Sequence, residues 1–239
     1  MSVYLVNKKL GQTPLEKIED LRKSKKIPAN ISMTYAGRLD PGATGKLIIL
    51  TDKDVLEKEK YTSLGKKYVI KIILGLKTDT GDILGIPAEK EAQKIKTSTL
   101  IKVLKKLSGK RSQKYHPYSS KNIGGVPLWK ITRQNKKVKL PEHIIEIKSI
   151  KILKEENISY KKIFSKVLEI CTKVRGNFRQ EEIINSWKKI SGKKFQSFEL
   201  EIESGAGAYM RVLAEEIGEE LGENCTCLSI KRTEIESFT

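Results

Sequence analysis

Residues 198–233 restrict the fold more than any other stretch of this chain. Phe198, Leu200 and Ile202 alternate there with Glu199, Glu201 and Glu203. A period of two marks a strand with one face on a core and the other in water. The loop Ser204-Gly205-Ala206-Gly207 follows, then Val212, Leu213, Ile217 and Leu221 at helical spacing, stopped by Gly222. A β-prone run over residues 227–233 completes a unit of strand, glycine turn, helix and strand.

The rest of the chain continues in the same idiom. Residues 2–6 read as a short strand. Thr13-Pro14-Leu15-Glu16 combines a Thr N-cap, Pro at the first helical position and Glu three residues after the cap, opening a helix to about residue 23. Residues 46–50 and 68–74 read as strands, and Leu100, Val103, Leu104 and Leu107 lie on one helical face that Gly109 ends. No repeat or linker divides the chain. The expectation is one α+β domain over residues 1–239, a mixed and largely antiparallel sheet flanked by helices.

Two segments are less regular. Residues 113–140 interleave Tyr115, Tyr118 and Trp129 with many cations, a composition suited to bases and phosphates or to an aromatic-stapled surface loop. Residues 157–194 hold two amphipathic helical stretches separated by Gly176-Asn177, with Lys161, Lys162, Lys188, Lys189, Lys193 and Lys194 near their ends.

The 47 Lys and Arg outnumber the 29 Asp and Glu, a formal charge of +18. An excess that large repels itself unless a polyanion sits against it, which points to nucleic acid as partner. No run reaches the roughly 18 apolar residues of a membrane span, and the N-terminus lacks a signal peptide's apolar stretch, so a cytoplasmic protein without membrane attachment is expected. Three cysteines do not make a disulfide framework. Cys225 and Cys227 are two apart, yet His116 and His143 are remote in sequence and zinc wants about four ligands, so reduced, partly buried thiols and no metal are expected. Gly45-Lys46 runs on into Leu47 and forms no phosphate-binding Gly-Lys-Ser/Thr loop. Neither histidine stands in a context that calls up a Ser-His-Asp triad.

The segment Tyr35-Ala36-Gly37-Arg38-Leu39-Asp40-Pro41-Gly42-Ala43-Thr44-Gly45 places an acid in a tight loop ahead of an apolar strand. Alone, Asp40-Pro41 suits an ordinary turn start equally well. It has company. Lys67-Tyr68 is followed by Leu74-Gly75 and Thr78-Asp79-Thr80-Gly81-Asp82. Tyr118-Ser119-Ser120-Lys121 precedes Gly125 and Leu128. Ser204-Gly205-Ala206-Gly207-Ala208-Tyr209-Met210-Arg211 precedes Leu213 and Leu221-Gly222. Together, and in this order, the four stretches resemble the motifs of the TruB family of RNA pseudouridine synthases.

The resemblance implies the pseudouridine synthase catalytic fold and isomerisation of a uridine on a flipped nucleotide, with Asp40 as nucleophile and neither metal nor cofactor. It implies that Arg211 pairs with Asp40, and that Tyr68 stacks on the base and takes the C5 proton. Lys8, Asp79, Tyr118, Lys121 and Ile230 fall at further substrate-side positions. Tyr35 stands where bacterial members have an RNA-contacting histidine, and Arg38 is similar to the Arg-Leu-Asp signature of other pseudouridine synthases. The implied partner is tRNA, with the T-arm uridine at position 55 as target and the protein a monomer. Residues 157–194 read as an insertion relative to the bacterial pattern, and a catalytic domain without the PUA domain common in the family is expected. Two rivals are a synthase for another RNA site and a catalytically silent RNA-binding protein. A glycosidase would need a second carboxylate as acid partner.

Overall fold

The computed structural model describes residues 2–134, 136 and 138–238. Residues 135 and 137, inside the irregular 113–140 segment, lie outside the described residues. The chain begins β1 (Ser2–Lys8), α1 (Pro14–Ser24), β2 (Met33–Ala36), β3 (Ala43–Thr51), α2 (Lys58–Thr62), β4 (Lys66–Leu74), β5 (Leu76–Thr78) and β6 (Pro87–Glu89). It continues α3 (Thr97–Lys106), β7 (Gly109–Lys114), β8 (Asn122–Ile123), β9 (Val126–Pro127), α4 (Leu128–Arg133) and β10 (Glu142–Ser159). It closes with α5 (Tyr160–Lys173), α6 (Gln180–Trp187), β11 (Lys194–Ser204), α7 (Met210–Leu221) and β12 (Cys225–Ile235).

An eight-stranded sheet in the order β1-β3-β12-β4-β11-β10-β7, with β2 beside β3, organises the molecule. β3 and β12 run parallel while its other pairs among the described residues run antiparallel, the mixed α+β architecture expected. The local signals hold. Thr13 and Glu16 form a reciprocal capping box at the start of α1. Phe198, Leu200 and Ile202 bury one face of β11, and Gly222 ends α7 in the left-handed conformation at φ 70°. The 18-residue β10 had no simple periodic signature, because a bulge between Ile147 and Ser149 changes which parity faces inward. Ile145 and Ile147 are buried before it, whereas Ile150 and Ile152 pack on the core after it.

β4 separates two apolar layers. Ile70, Ile72 and Leu74 join α3, α7 and β11 in one cluster, and Ile73 joins α5 and α6 in another. Successive strand residues face opposite sides, so the sheet is covered on both. Ile163, Val167, Ile170, Ile183 and Trp187 make residues 157–194 part of the core, and the Trp187 indole N–H donates to the Gly85 carbonyl at 2.9 Å. All three cysteines are free thiols and are buried, Cys225 and Cys227 more completely than Cys171. No described helix is long and apolar enough to cross a membrane.

Candidate active site

Asp40 lies between β2 and β3 at the head of a tight turn. Pro41 and Gly42 occupy its centre, and the Ala43 N–H donates to the Asp40 carbonyl at 2.9 Å. Leu39 and Ala43 anchor the turn in the core. Arg232, 1% exposed, straps the loop at both ends, donating through Nε to the Lys46 carbonyl (2.6 Å) and through Nη2 to the Gly37 carbonyl (2.9 Å). Gly45 is required here: a Cβ on it would lie 2.1 Å from the Arg232 carbonyl oxygen.

Helix α7 brings Arg211 to this acid from its first turn. The residue is 4% exposed, and its Nε and Nη2 lie 2.9 and 2.8 Å from Asp40 Oδ2. Nη1 donates to the Thr80 carbonyl and lies 3.3 Å from His116 Nδ1, while Nη2 donates to the Tyr118 carbonyl at 3.3 Å. The guanidinium is thereby fixed in one orientation. Burial pushes the Asp40 carboxyl up, but the charges of Arg211 and Arg38 outweigh it and hold the group below its usual range. The side chain keeps 31% exposure, so an ionised carboxylate remains reachable.

A cavity of about 220 Å³ opens beside it, lined among others by Tyr68, Tyr209, Ile230 and Lys66. Tyr68 on β4 is buried except for the surface it gives this cavity, and Ile230 on β12 supplies an apolar wall. Burial and then the Asp40 charge push the Tyr209 hydroxyl up to about 12. Asp40, Tyr68, Arg211, Ile230 and Arg38, predicted from distant parts of the sequence, thus share one space.

The other predicted residues surround it at different distances. Lys8 is buried and spends its ammonium on the carbonyls of Gln12 (2.7 Å) and Lys9 (3.1 Å); burial brings its pKa down to about 8, with Asp40 opposing. It does not line the cavity. The Tyr35 hydroxyl accepts from Arg38 Nη1 at 3.4 Å. Tyr118 donates to Asp79 Oδ2 at 3.1 Å, and Lys121 sits with its ammonium 5.0 Å from the Tyr115 ring centre. Asp79 faces Tyr118 and Arg179, the latter at 2.7 Å, rather than Arg211.

Several site residues escaped the sequence reading. Asp82, not Asp79, is the acid of its motif nearest the guanidinium: its Oδ2 is 3.9 Å from Arg211 Nε, while Oδ1 accepts from Thr80 Oγ1 and the Leu84 N–H, both at 2.9 Å. Burial pushes the Asp82 carboxyl up, against the pull of Arg211. His116 is buried against Arg211, and burial followed by that positive charge drives its pKa well down. Its Nδ1 accepts the Tyr118 N–H at 3.0 Å, which leaves the ring proton on Nε2, 3.5 Å from Glu215 Oε1. Burial pushes Glu215 up to about 7. Lys66 is held by the Thr62 carbonyl at 2.9 Å and lowered to about 8, chiefly by burial. Periodicity cannot announce such residues, because only the fold assembles them. The Asp82 position did have a signal, the second acid of the Thr-Asp-Thr-Gly-Asp run.

Residues 25–167 match the family described as TruB family pseudouridylate synthase (N terminal domain). The chain belongs to the TruB family. Among curated relatives, it is 28% identical to the tRNA pseudouridine synthase B of Thermosipho melanesiensis, covering 95% of this chain and 62% of that protein. It is 30% identical to the Listeria welshimeri protein of the same name over 88% of this chain and 59% of the relative. For the one from Endomicrobium trichonymphae the figures are 25% identity, 99% and 85%. The chain therefore spans about three fifths of the first two relatives. The fold is similar to a chain in the crystal structure of a Cbf5-Nop10-Gar1 complex, with a TM-score of 0.59 at 17% identity, covering 99% of this chain and 49% of that one. Within this TruB-family chain, the four motifs recognised in sequence all converge on the Asp40 cavity or its rim.

Proposed function

We propose that the protein isomerises a uridine in RNA to pseudouridine, with Asp40 as nucleophile and the T-arm uridine at tRNA position 55 as target. One observation carries the reading: a reachable carboxylate, kept ionised by a buried arginine, lines a cavity walled by Tyr68 and Ile230. A flipped uridine placed there presents its ribose C1′ to Asp40. The N1–C1′ bond breaks as the carboxylate oxygen bonds to C1′, and the electron pair leaves with uracil N1. The base turns between Tyr68 and Ile230, C5 bonds to C1′, and Asp40 is released. The Tyr68 hydroxyl takes the C5 proton as it gives up its own, and that proton is relayed through water to N1, so the net change is an isomerisation without metal or cofactor.

Arg211 keeps the nucleophile aimed when bound RNA excludes water, and the positive end of the α7 dipole acts in the same direction. Lys8 adds positive potential from beneath the loop. Arg38 meets the RNA at the wall of the base cavity and Tyr35, Tyr118 and Lys121 meet it outside, with Asp79 holding Tyr118 in place. Relatives named tRNA pseudouridine synthase B support tRNA as the substrate class. We read residues 157–194 as a family-variable addition within a single domain, and the protein as a cytoplasmic monomer.

The decisive test is Asp40→Asn, scored by mapping pseudouridine in tRNA and by RNA binding. Turnover should vanish while affinity stays within about threefold, because phosphate contacts are untouched. Residual turnover above about a tenth of the parent's would remove Asp40 from the nucleophile's role. Tyr68→Phe should bind RNA normally but form product about a hundredfold more slowly, with the C5–C1′ adduct that still carries its C5 proton accumulating.

A further inference from the structure

A second cavity, of about 270 Å³, adjoins the first and shares Arg38, Asp40, Ser120 and Arg211 with it. Its far wall comes from two places distant in sequence. Trp129 and Arg133 belong to α4, whereas Asn177, Phe178 and Arg179 form the connector between α5 and α6. Arg133 Nη2 donates to the Asn177 carbonyl at 2.9 Å and closes that wall.

The charges there are unevenly spent. Arg211 is matched by Asp40 and Asp82, and Arg179 by Asp79. Arg38 and Arg133 have no ion pair among the described residues; one meets the Tyr35 hydroxyl, the other a carbonyl and the Trp129 ring at 5.6 Å. Arg179 lies 5.0 Å from the Tyr118 ring centre, yet its Nε is buried without a hydrogen-bond partner. Its backbone is left-handed, at φ 62°, a conformation that non-glycine residues seldom hold without a compensating role. Trp129 is 39% exposed despite its size. Guanidinium forks with spare donors beside an open aromatic face are what a phosphodiester and its base require.

We propose that the second cavity is a subsite for the nucleotide adjoining the target uridine, its phosphate held among Arg38, Arg133 and Arg179 and its base against Trp129. The proposal rests on the reading that the first cavity takes a uridine of RNA. A nucleotide in the first cavity carries a phosphate on each side, and the shared Arg38 stands where the strand would pass into the second. The α5–α6 connector would thus supply substrate contacts from a helical pair whose own interior is apolar.

The test pairs a change in the protein with a change in the RNA. Synthetic T-arm hairpins carry a single neutral methylphosphonate on either the 5′ or the 3′ side of the target uridine, and binding is measured with the Asp40→Asn protein. One of the two neutral linkages should weaken binding about tenfold, the scale of a lost charge-assisted contact. Adding Arg133→Ala and Arg179→Ala should weaken binding of the unmodified hairpin by a similar factor and abolish its sensitivity to that linkage. Arg133→Ala alone, which breaks no ion pair, separates loss of contact from loss of folding and should blunt the sensitivity as well. If both neutral linkages cost the same with and without the arginines, the subsite is overturned. Pseudouridine formed by the parent protein alongside that result would leave the reaction intact. Coupling without any pseudouridine from the parent protein would instead overturn the reaction and uphold the subsite.

Discussion

Helix α7 buries Met210, Leu213, Ala214 and Ile217 on one face of the sheet, and α5 with α6 buries Ile163, Val167, Ile170, Ile183 and Trp187 on the other. Both covers are firmly packed, but they serve the site differently. α7 sends in Arg211 from its own first turn, with the guanidinium fixed by Asp40, Thr80 and Tyr118. The other pair turns an apolar face to the sheet, with Ile170 packing beneath Gly42 of the Asp40 loop, and sends its charged group to the site from the connector, as Arg179. Chemistry that needs a carboxylate and a cation at 2.8–2.9 Å is built on a rigid element, while contacts with a flexible strand can come from a loop.

The sharpest way to break this comparison is Trp187→Ala. It should cost about 3–5 kcal/mol in denaturant unfolding, from a large cavity and an unsatisfied Gly85 carbonyl, while the folded fraction keeps near-parental turnover. A matching loss of turnover would show the two covers to be one catalytic unit. Arg211→Met should reverse the pattern, lowering the rate about a hundredfold or more, roughly 3 kcal/mol. Its pH profile adds a sign. Asp40 is held low in the parent, so activity should persist as pH falls until that depressed pKa is crossed; without Arg211 the acid limb should move up in pH. The smallest effect belongs to Glu215, on the same helix. A carboxyl raised from 4.5 to about 7 favours the folded state while protonated, so its contribution is present below pH 4.5 and lost as pH rises to about 7. Glu215→Gln should flatten that decline and leave the variant about 1 kcal/mol more stable at pH 8, a figure reduced for the side chain's partial exposure. Thermal melts at pH 4, 6 and 8 would measure it, and an undiminished decline in the variant would assign the titration elsewhere.

What could be read in sequence was local. The α1 capping box, the alternation in β11 and the αL glycine after α7 each rest on residues within a few positions of one another. The Asp40 loop and Arg211 were legible because each sits in a contiguous motif. β10 escaped because its bulges change which residues face inward midway. His116 read as an unremarkable histidine, since Arg211 and Glu215 reach it only through tertiary packing. Arg179 escaped for the same reason, being one cation among 47 Lys and Arg until the fold sets it against Tyr118 and Asp79.

The strap from Arg232 also governs when the molecule can become competent. Its bonds to Lys46 and Gly37 span 186 and 195 residues, and β12, which carries it, fits between β3 and β4 at the middle of the sheet. Closing loops that long costs chain entropy before any pairing can offset it. While β12 is missing, β3 and β4 present open edges and the Asp40 loop lacks both of its Arg232 anchors. The Asp40 loop is therefore expected to set late in folding, in the same event that completes the sheet, so that a partly folded chain would lack the Asp40–Arg211 arrangement.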